Sequence, residues 1–302
     1  MFIIRLFVAL RHLSGLEKLG VKIIKRHSMI YCDGRNMHSD TVQLDFPSVG
    51  ATENLMMAAV LLKGTTRLIN VAKEPEIVDL QNFLNSMGAD ISGAGTAEIT
   101  INGVDKLHST QYVPMSDRIV AGTLMLATAI VGGKVCLKNA NFENNQSLIA
   151  KLSSVGCQID IKSDIINITS KGRLPSIDLI DTQVYPGFPT DMQAQIMTLQ
   201  AVSDGVSVIC ENVFENRFKH AKELIKMGAN IIIRDRVAVI KGVGELTGAP
   251  VDATDLRAGA GLVLAGLKAK GYTTINNIYH IDRGYEQFEN ILANLGADIK
   301  RI

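Results

Sequence analysis

The sequence of 302 residues contains no tryptophan, and aromatic residues make up only 5% of it. Proteins that bind single-stranded nucleic acid present aromatic side chains on which bases stack. Those that bind duplexes concentrate an excess of basic residues on one face. This chain carries 31 basic and 30 acidic residues, so it has neither property. We therefore exclude nucleic acid as a partner and expect a small molecule.

Long hydrophobic runs are also missing. The most apolar segment near the start, residues 1–10, is interrupted by Arg5 and followed by Arg11 and His12, whereas a membrane-spanning helix needs about 20 apolar residues. The segment has no small-residue cleavage site of the kind that ends a secretory signal. The sequence therefore predicts a cytoplasmic protein with no membrane association.

Cysteine and histidine are few and are not spaced as metal ligands. The four cysteines form no CxxC pair, and the six histidines form no HxxxH or HExxH motif. We expect no metal and no other cofactor. Cys136, Cys157 and Cys210 fall in apolar strand or core patterns, which predicts buried thiols.

The strongest positive signal is an internal repeat. The segments LEKLGVKI, LNSMGADI, LSSVGCQI, LIKMGANI and LANLGADI contain glycines at positions 20, 88, 156, 228 and 296, with spacings of 68, 68, 72 and 68 residues. Each reads as a helix end, a glycine that permits positive φ, and a short strand.

A second shared element precedes the last four of these segments. It is a β-branched run opened by glycine and closed by asparagine, as in GTTRLIN (64–70) and GKVCLKN (133–139), and this pattern predicts a strand. About sixteen residues before each such glycine, a polar residue starts an apolar helix; these residues are Ser48, Asp117, Thr190 with Asp191, and Asp255. Further strands are predicted at residues 98–101, 165–169 and 237–241. The predicted unit is helix, strand, helix, strand.

The repeat predicts an α/β fold built from subdomains of 68 residues, because this period is too long for an ordinary solenoid. Pro114 and the polar run before it indicate a boundary near residues 112–116. We predict two domains, residues 1–115 with about one and a half subdomains and residues 116–302 with three. The first domain is thus expected to be incomplete, which could leave apolar faces that self-associate.

The predicted helix starts are the first candidates for chemistry, because each exposes backbone N–H groups that attract anions. Arg118 and Arg257 lie in the first turns of two of these helices, where a cation costs roughly 0.3–1 kcal/mol unless an anion offsets it. The alternative is that Asp117 and Asp255 only cap the helices and that the arginines extend into solvent or pair with a neighbouring carboxylate. Ser48 and Gly50 suit a phosphate turn, although a plain cap is the default.

For the other candidate residues, the sequence spacing alone gives a weaker indication of a functional role. Asp191, after Pro189, is expected to cap its helix, with the role of general base as the alternative. Arg217 and Arg283 follow two of the predicted strands, and Glu74 and Glu76 flank Pro75, a first-turn proline.

Five motifs in order then suggest a family. The segments EPEIVDLQNFLNSMGADISGAGT, FPTDMQAQ, VFENRF, ATDLRAGAGLVLAG and YHIDRGYEQFE together resemble the UDP-N-acetylglucosamine 1-carboxyvinyltransferases of the enolpyruvyl transferase family, from about residue 14 to residue 302. The resemblance implies an inside-out α/β barrel of two domains with six subdomains. It also implies transfer of the enolpyruvyl group of phosphoenolpyruvate to the 3′-hydroxyl of UDP-N-acetylglucosamine, the first committed step of peptidoglycan synthesis.

The resemblance further implies roles for individual residues. Asp191 would accept the hydroxyl proton, Arg217 and Arg257 would hold the phosphoenolpyruvate carboxylate, and Arg283 would bind phosphate. The remaining positions are the diphosphate turn at Ser48, Val49 and Gly50, the backbone of Val213 near the nucleotide, Glu74 near the sugar or a catalytic lysine, and Asp117, Arg118 and Asp255 as residues that organise the cleft.

Two parts of the family pattern have no counterpart in this sequence. They are a Lys-Asn pair and the cysteine loop that supplies the general acid, and of a third stretch, FVALRH (7–12), only His12 is kept. We therefore expect a truncated chain that is nearly inactive alone. The alternatives are a non-catalytic UDP-sugar-binding or regulatory paralogue and the sister enolpyruvyl transferase of the shikimate pathway.

Overall fold

The chain has a mixed α/β structure. The computed structural model describes residues 6–26 and 29–302, so the apolar segment at residues 1–10 lies partly outside the described residues. The helices are α1 (Leu6–Lys18), α2 (Val49–Ala59), α3 (Pro75–Ser86), α4 (Arg118–Val131), α5 (Gln146–Ser154), α6 (Gln193–Val202), α7 (Ala221–Lys226), α8 (Leu256–Lys268) and α9 (Phe288–Asn294). Within the described ranges, no helix has the length and hydrophobicity required to cross a bilayer.

The strands are shorter than the helices and form five sheets in the described chain. They are β1 (Lys22–Arg26), β2 (Met29–Asp33), β3 (Thr41–Gln43), β4 (Thr65–Ile69), β5 (Asp90–Ser92), β6 (Glu98–Asn102), β7 (Gly133–Leu137), β8 (Gln158–Lys162), β9 (Ile165–Ser170), β10 (Leu179–Thr182), β11 (Val206–Glu211), β12 (Asn230–Arg234), β13 (Val237–Lys241), β14 (Pro250–Asp252) and β15 (Thr274–Asn276).

Two of the sheets show the complete repeat. Their strand orders are β3-β4-β6-β5 and β10-β11-β13-β12; the first pair in each is parallel and the other pairs are antiparallel. A helix connects the parallel strands, and a second helix leads into the antiparallel hairpin. The unit is therefore strand, helix, strand, helix and hairpin. The first strand was missed because three or four residues are too few to show a period.

The repeated glycines and asparagines occupy left-handed backbone positions. The glycines that end the helices have φ between +86° and +101°, and Asn70, Asn139 and Asn277, which close the strand motif, have φ between +55° and +58°. Glycine and asparagine are the residues that tolerate this conformation best, which explains why both recur.

One predicted strand is absent. Residues 297–299 follow the fifth glycine but form no strand. The equivalent strands β5, β8 and β12 each pair with a strand that follows them, and the described residues after Gly296 contain no such partner.

The sheet that contains β7 is narrower than its counterparts and has the order β7-β9-β8. Cys136 of β7 is exposed, contrary to the expectation of a buried thiol; Cys157 is buried and Cys210 is partly buried.

The chain divides into two compact units, Met1–Met115 and Ser116–Ile302. The first unit has its own core, in which Leu55, Met56 and Leu68 are fully buried. In the second unit, α6 is buried on every side and packs against α4 and α8. A Cβ on Gly261 would lie 3.1 Å from the Ala194 backbone, so glycine allows α8 to approach the start of α6 closely.

Candidate active site

The centre of the candidate site is Asp191, which lies between two arginines of the second unit. Its Oδ1 accepts a hydrogen bond of 2.7 Å from Nη2 of Arg217, and its Oδ2 accepts one of 3.0 Å from Nη2 of Arg257. The side chains of the two arginines are only 19% and 16% exposed, and that of Asp191 is 39% exposed. The structure therefore brings together three predicted site residues separated by as many as 66 positions in sequence.

Asp191 is not a helix cap, so the expectation from spacing was wrong. It lies in a 3₁₀ turn, Thr190–Met192, whose start is Pro189 and has no side-chain cap. Burial raises the pKa of Asp191, but the charges and hydrogen bonds of Arg257 and Arg217 outweigh this effect and hold the pKa below its ordinary value. The carboxylate is therefore ionised and forms ion pairs with both arginines.

Arg257 rests on a buried polar cluster that the sequence did not reveal. Its guanidinium lies 5.9 Å from the ring centre of Tyr285, and the Tyr285 hydroxyl is 2.9 Å from Oγ1 of Thr123 and 3.2 Å from Nε2 of Gln195. Thr123 and Gln195 are fully buried, and Tyr285 is 2% exposed. These hydrogen bonds hold the Tyr285 ring in place beside Arg257, because each of the buried side chains has few alternative partners.

A buried glutamate shapes the turn that carries Arg217. Glu211, at the end of β11, is 1% exposed and accepts hydrogen bonds of 3.0 Å from the backbone N–H groups of Val213 and Phe214. The Thr190 hydroxyl donates to the same carboxylate at 3.0 Å. The N–H of Val213 already donates to Glu211. Only the carbonyl group of Val213 therefore remains for the expected backbone contact with the nucleotide.

His220 lies directly behind Arg217. Its ring is 1% exposed, is hydrogen-bonded to the backbone of Arg217 and is close to Asp255. Burial lowers its pKa to about 4, although the Asp255 carboxylate opposes the effect, so the ring is neutral at pH 7. Its Nε2 is buried without a hydrogen-bond partner among the described residues.

The other predicted residues of the second unit have mixed outcomes. Asp117 and Asp255 cap α4 and α8, each accepting two backbone N–H bonds. The guanidinium of Arg118 lies 5.9 Å from the Tyr185 ring centre. Arg283 is exposed and forms no ion pair or hydrogen bond with any described residue, so the structure does not join it to Asp191.

The predicted diphosphate turn in the first unit is a capped helix start. Ser48 caps α2 and accepts a hydrogen bond of 3.4 Å from the Ala51 N–H, and Val49 begins the helix. A Cβ on Gly50 would lie 3.1 Å from the His12 ring; that ring is 2.6 Å from the Asn54 amide. Burial lowers the pKa of His12, so a mostly neutral imidazole faces the turn.

Glu74 is the residue before the first turn of α3, and Pro75 is in that turn, as predicted. Glu53, which the sequence did not single out, lies close enough to Glu74 and Glu76 for their charges, together with its own burial, to raise its pKa. Across residues 6–26 and 29–302, no group of three histidines, cysteines or carboxylates could hold a metal ion.

The arginine pair gives a measurable stability prediction. Replacing Asp191 with Asn leaves two adjacent guanidinium groups without a counter-charge, and we expect the free energy of unfolding to fall by about 1–2 kcal/mol at pH 7, since the carboxylate is partly exposed. Because the folded-state pKa is depressed, this difference is fully present above 3.8, the ordinary pKa, and is lost as pH falls below it. Urea titrations measure it.

Asp204→Asn is the matched control for that measurement. Asp204 pairs with Arg173, but its side chain is 80% exposed, so its loss should change stability by about 0.5 kcal/mol or less. Equal effects of the two substitutions would show that the arginine pair does not depend on Asp191.

Comparisons with known proteins bear on the chain as a whole. Residues 10–292 match the family described as EPSP synthase (3-phosphoshikimate 1-carboxyvinyltransferase). A UDP-N-acetylglucosamine 1-carboxyvinyltransferase 2 from Caldanaerobacter subterraneus is 51% identical over 96% of this chain and 70% of the relative. The enzyme of that name from Geobacter metallireducens is 50% identical over the same shares.

Comparison with solved structures indicates the same family. The enolpyruvyl transferase NikO from Streptomyces tendae matches 96% of this chain and 72% of its own, with a TM-score of 0.85 and 26% identity. An EPSP synthase from Acinetobacter baumannii, 19% identical, matches in fold with a TM-score of 0.70 over 95% of this chain and 70% of its own. The chain therefore belongs to the EPSP synthase family of enolpyruvyl (carboxyvinyl) transferases, and its curated relatives at about 50% identity are UDP-N-acetylglucosamine 1-carboxyvinyltransferases.

Proposed function

We propose that this chain carries part of the machinery that transfers an enolpyruvyl group from phosphoenolpyruvate to the 3′-hydroxyl of UDP-N-acetylglucosamine, with release of phosphate, in peptidoglycan synthesis. The observation that carries the proposal is the Asp191 carboxylate bound by Arg217 and Arg257. Two largely buried arginines that can bind one carboxylate together suit a substrate that is itself a carboxylate. The names of the relatives supply UDP-N-acetylglucosamine and the carboxyvinyl group, and phosphoenolpyruvate as the donor of that group follows from the family resemblance.

The proposed fold is the inside-out α/β barrel of the enolpyruvyl transferases. In it, residues 116–302 form a domain of three subdomains and residues 1–115 form an incomplete one of about one and a half. The TM-score of 0.85 to NikO and the repeated glycine positions support this arrangement.

The arginine pair links substrate binding to proton transfer. While both arginines hold Asp191, its lowered pKa makes it a weak base. In the proposed mechanism, the carboxylate of phosphoenolpyruvate replaces Asp191 on Arg217 and Arg257. Asp191 then loses the partners that depress its pKa and becomes able to accept the proton of the sugar hydroxyl. The base is thus released only when the second substrate is bound.

The remaining roles concern the other charges of the substrates. Arg283, exposed and without an ion pair among the described residues, is proposed to bind the phosphate that leaves. The first-turn N–H groups at Val49 and Gly50 with the cap Ser48 suit a diphosphate, and the carbonyl of Val213 and the carboxylate of Glu74 suit the uridine and sugar groups. Asp117 and Asp255 cap α4 and α8, and with Arg118 in the first turn of α4 they are proposed to organise the substrate cleft.

A non-catalytic UDP-sugar-binding protein is the second candidate. It is favoured by the sequence itself, which has no counterpart of the family's Lys-Asn pair and cysteine loop. Both candidates require binding of UDP-N-acetylglucosamine, and only the first requires turnover.

Calorimetric titration tests the proposal. We expect the chain to bind UDP-N-acetylglucosamine and then phosphoenolpyruvate. We expect Arg217→Gln to weaken the binding of phosphoenolpyruvate about 10- to 150-fold. This factor corresponds to about 1.5–3 kcal/mol, the contribution of a hydrogen bond to a charged group. Arg173→Gln, an exposed arginine paired with Asp204, is the matched control and should bind normally. Binding of 3-phosphoshikimate in place of the UDP-sugar would assign the chain to the sister reaction, and binding of neither would refute the proposal.

A further inference from the structure

The hydroxyl of Tyr285 is a buried polar group next to one of the two arginines that hold Asp191. Tyr285 is 2% exposed, and its ring centre lies 5.9 Å from the guanidinium of Arg257. We propose that Tyr285 is a positioning residue, whose hydroxyl orients the Arg257 guanidinium for the carboxylate of phosphoenolpyruvate. This inference rests on the proposed function and adds a residue to the same site.

The hydrogen bonds around this hydroxyl have only one consistent direction. The Thr123 hydroxyl donates its single proton to the Ile119 carbonyl at 2.8 Å, so it accepts from the Tyr285 hydroxyl, 2.9 Å away. The two amide protons of Gln195 point to Thr123 and Tyr285, each at 3.2 Å. A hydroxyl oxygen has one proton and two lone pairs. One lone pair of the Tyr285 oxygen therefore remains for a further donor.

Arg257 is the donor next to that lone pair. Its side chain is only 16% exposed, and its guanidinium hydrogen-bonds to the Tyr285 hydroxyl. Burial raises the pKa of Tyr285, although the Thr123 hydrogen bond and the charge of Arg257 oppose the effect. The hydroxyl is therefore protonated at neutral pH and offers Arg257 an uncharged acceptor.

An uncharged partner suits an arginine that exchanges one carboxylate for another. In the proposed mechanism, Arg257 gives up Asp191 when phosphoenolpyruvate binds, whereas the buried Tyr285 stays in place. Because the hydroxyl carries no charge, it orients the guanidinium without offsetting the positive charge that attracts the substrate carboxylate. The second arginine, Arg217, lies 4.8 Å from the ring centre of Phe214, which is also uncharged. Both guanidinium groups thus keep a neutral contact during the exchange.

The main chain of Tyr285 is held as firmly as its hydroxyl. Its N–H donates to the Ile281 carbonyl at 3.0 Å and closes the turn that carries Arg283. Ile281 is 5% exposed and packs on α8, where a Cβ on Gly259 would lie 2.5 Å from the Ile281 side chain. Tyr285 therefore connects Arg257 to the base of the turn that presents Arg283, the residue proposed to bind phosphate.

Removal of the hydroxyl tests the proposal. Tyr285→Phe keeps the buried ring, and we expect it to weaken the binding of phosphoenolpyruvate about 3- to 10-fold, as for the loss of one hydrogen bond. Calorimetric titration of the chain saturated with UDP-N-acetylglucosamine measures this change, and an unchanged affinity for the UDP-sugar shows that the variant is folded. In an Arg257→Gln background, Tyr285→Phe should weaken binding further by less than about twofold, because Tyr285 acts through Arg257.

Thr123 gives a second way to disturb the same hydroxyl. Thr123→Val keeps the side-chain volume but removes the acceptor of the Tyr285 proton, and we expect about 2- to 5-fold weaker binding of phosphoenolpyruvate. Thr123→Ser keeps the acceptor and should bind normally. Thr198→Val is the matched control, since Thr198 is also fully buried in a helix and its hydroxyl donates to the Gly261 carbonyl at 3.0 Å, so it should leave binding unchanged.

Three results would each overturn this inference and leave the proposed function intact. They are binding of phosphoenolpyruvate by Tyr285→Phe as tight as by wild type, an equal effect of Tyr285→Phe with and without Arg257→Gln, and a loss from Thr198→Val as large as that from Thr123→Val. A wild-type chain that binds the UDP-sugar but not phosphoenolpyruvate would instead refute the proposed function, and this inference with it.

Discussion

Phosphate release from phosphoenolpyruvate and UDP-N-acetylglucosamine is expected to be about 10²- to 10⁴-fold slower with these 302 residues alone than with the Caldanaerobacter relative, the range for loss of a general acid. The reason is chemical. The sequence contains Asp191 and the arginines that match the family pattern, but no counterpart of its Lys-Asn pair or cysteine loop. The proposed base and carboxylate clamp include no acid that would donate a proton to the enolpyruvyl carbon, so we expect this step to be slow.

The assay needs a control for folding. Calorimetric binding of UDP-N-acetylglucosamine by the same preparation shows that a slow rate is a property of the chemistry. Asp191→Asn in this chain should change an already low rate little. Turnover near that of the relative would contradict the prediction.

Acid is expected to destabilise the second unit through His220. Its pKa is about 4 in the folded chain, against 6.5 when exposed, so below pH 6.5 the unfolded state binds the proton more readily. The stability contribution of the neutral ring is complete above pH 6.5 and decreases as pH falls to about 4. The total loss is about 3 kcal/mol, at 1.36 kcal/mol for each pKa unit.

Urea titrations of wild type and His220→Gln from pH 7.5 to about 4.5 measure this effect. Glutamine can hydrogen-bond to the Arg217 backbone but cannot ionise, so we expect the variant to lose most of the slope in this window. His280→Gln, a partly exposed histidine of the same unit, should keep the slope. If wild type and His220→Gln show the same pH dependence, another group is responsible.

Much of the repeat could be predicted from the sequence because its signals are local. A glycine at positive φ after an apolar helix pattern ends the helix through its own backbone conformation, so Gly88, Gly156 and Gly228 marked both the helix end and the next strand correctly. The strands β3, β10 and β14 were missed because they are stabilised by pairing with a strand far along the chain. Cys136 was misjudged because an apolar strand pattern does not show which of its positions face solvent; the equivalent Arg67, on a strand with neighbours on both sides, is exposed as well.

The site was harder to predict than the fold. Spacing favoured a cap for Asp191, because its ion-pair partners lie 26 and 66 residues later and no local pattern connects them. Only the resemblance to a family placed these residues in one site. The sequence alone assigns no role to Tyr285, Glu211 and His220, because the role of a buried polar residue depends on side chains that are distant in sequence. The only hint that the sequence offers for such residues is a polar or charged residue inside an apolar strand or helix pattern.

One copy of the duplicated unit departs from the others where its second strand ends. The strand β11 is six residues long, against five in β4 and β7 and three in β15. Asn212 does not adopt the positive φ of Asn70, Asn139 and Asn277, and the Glu211 carboxylate holds the exit instead. The loop that carries Val213 and Arg217 therefore leaves its strand along a different backbone path from its three counterparts.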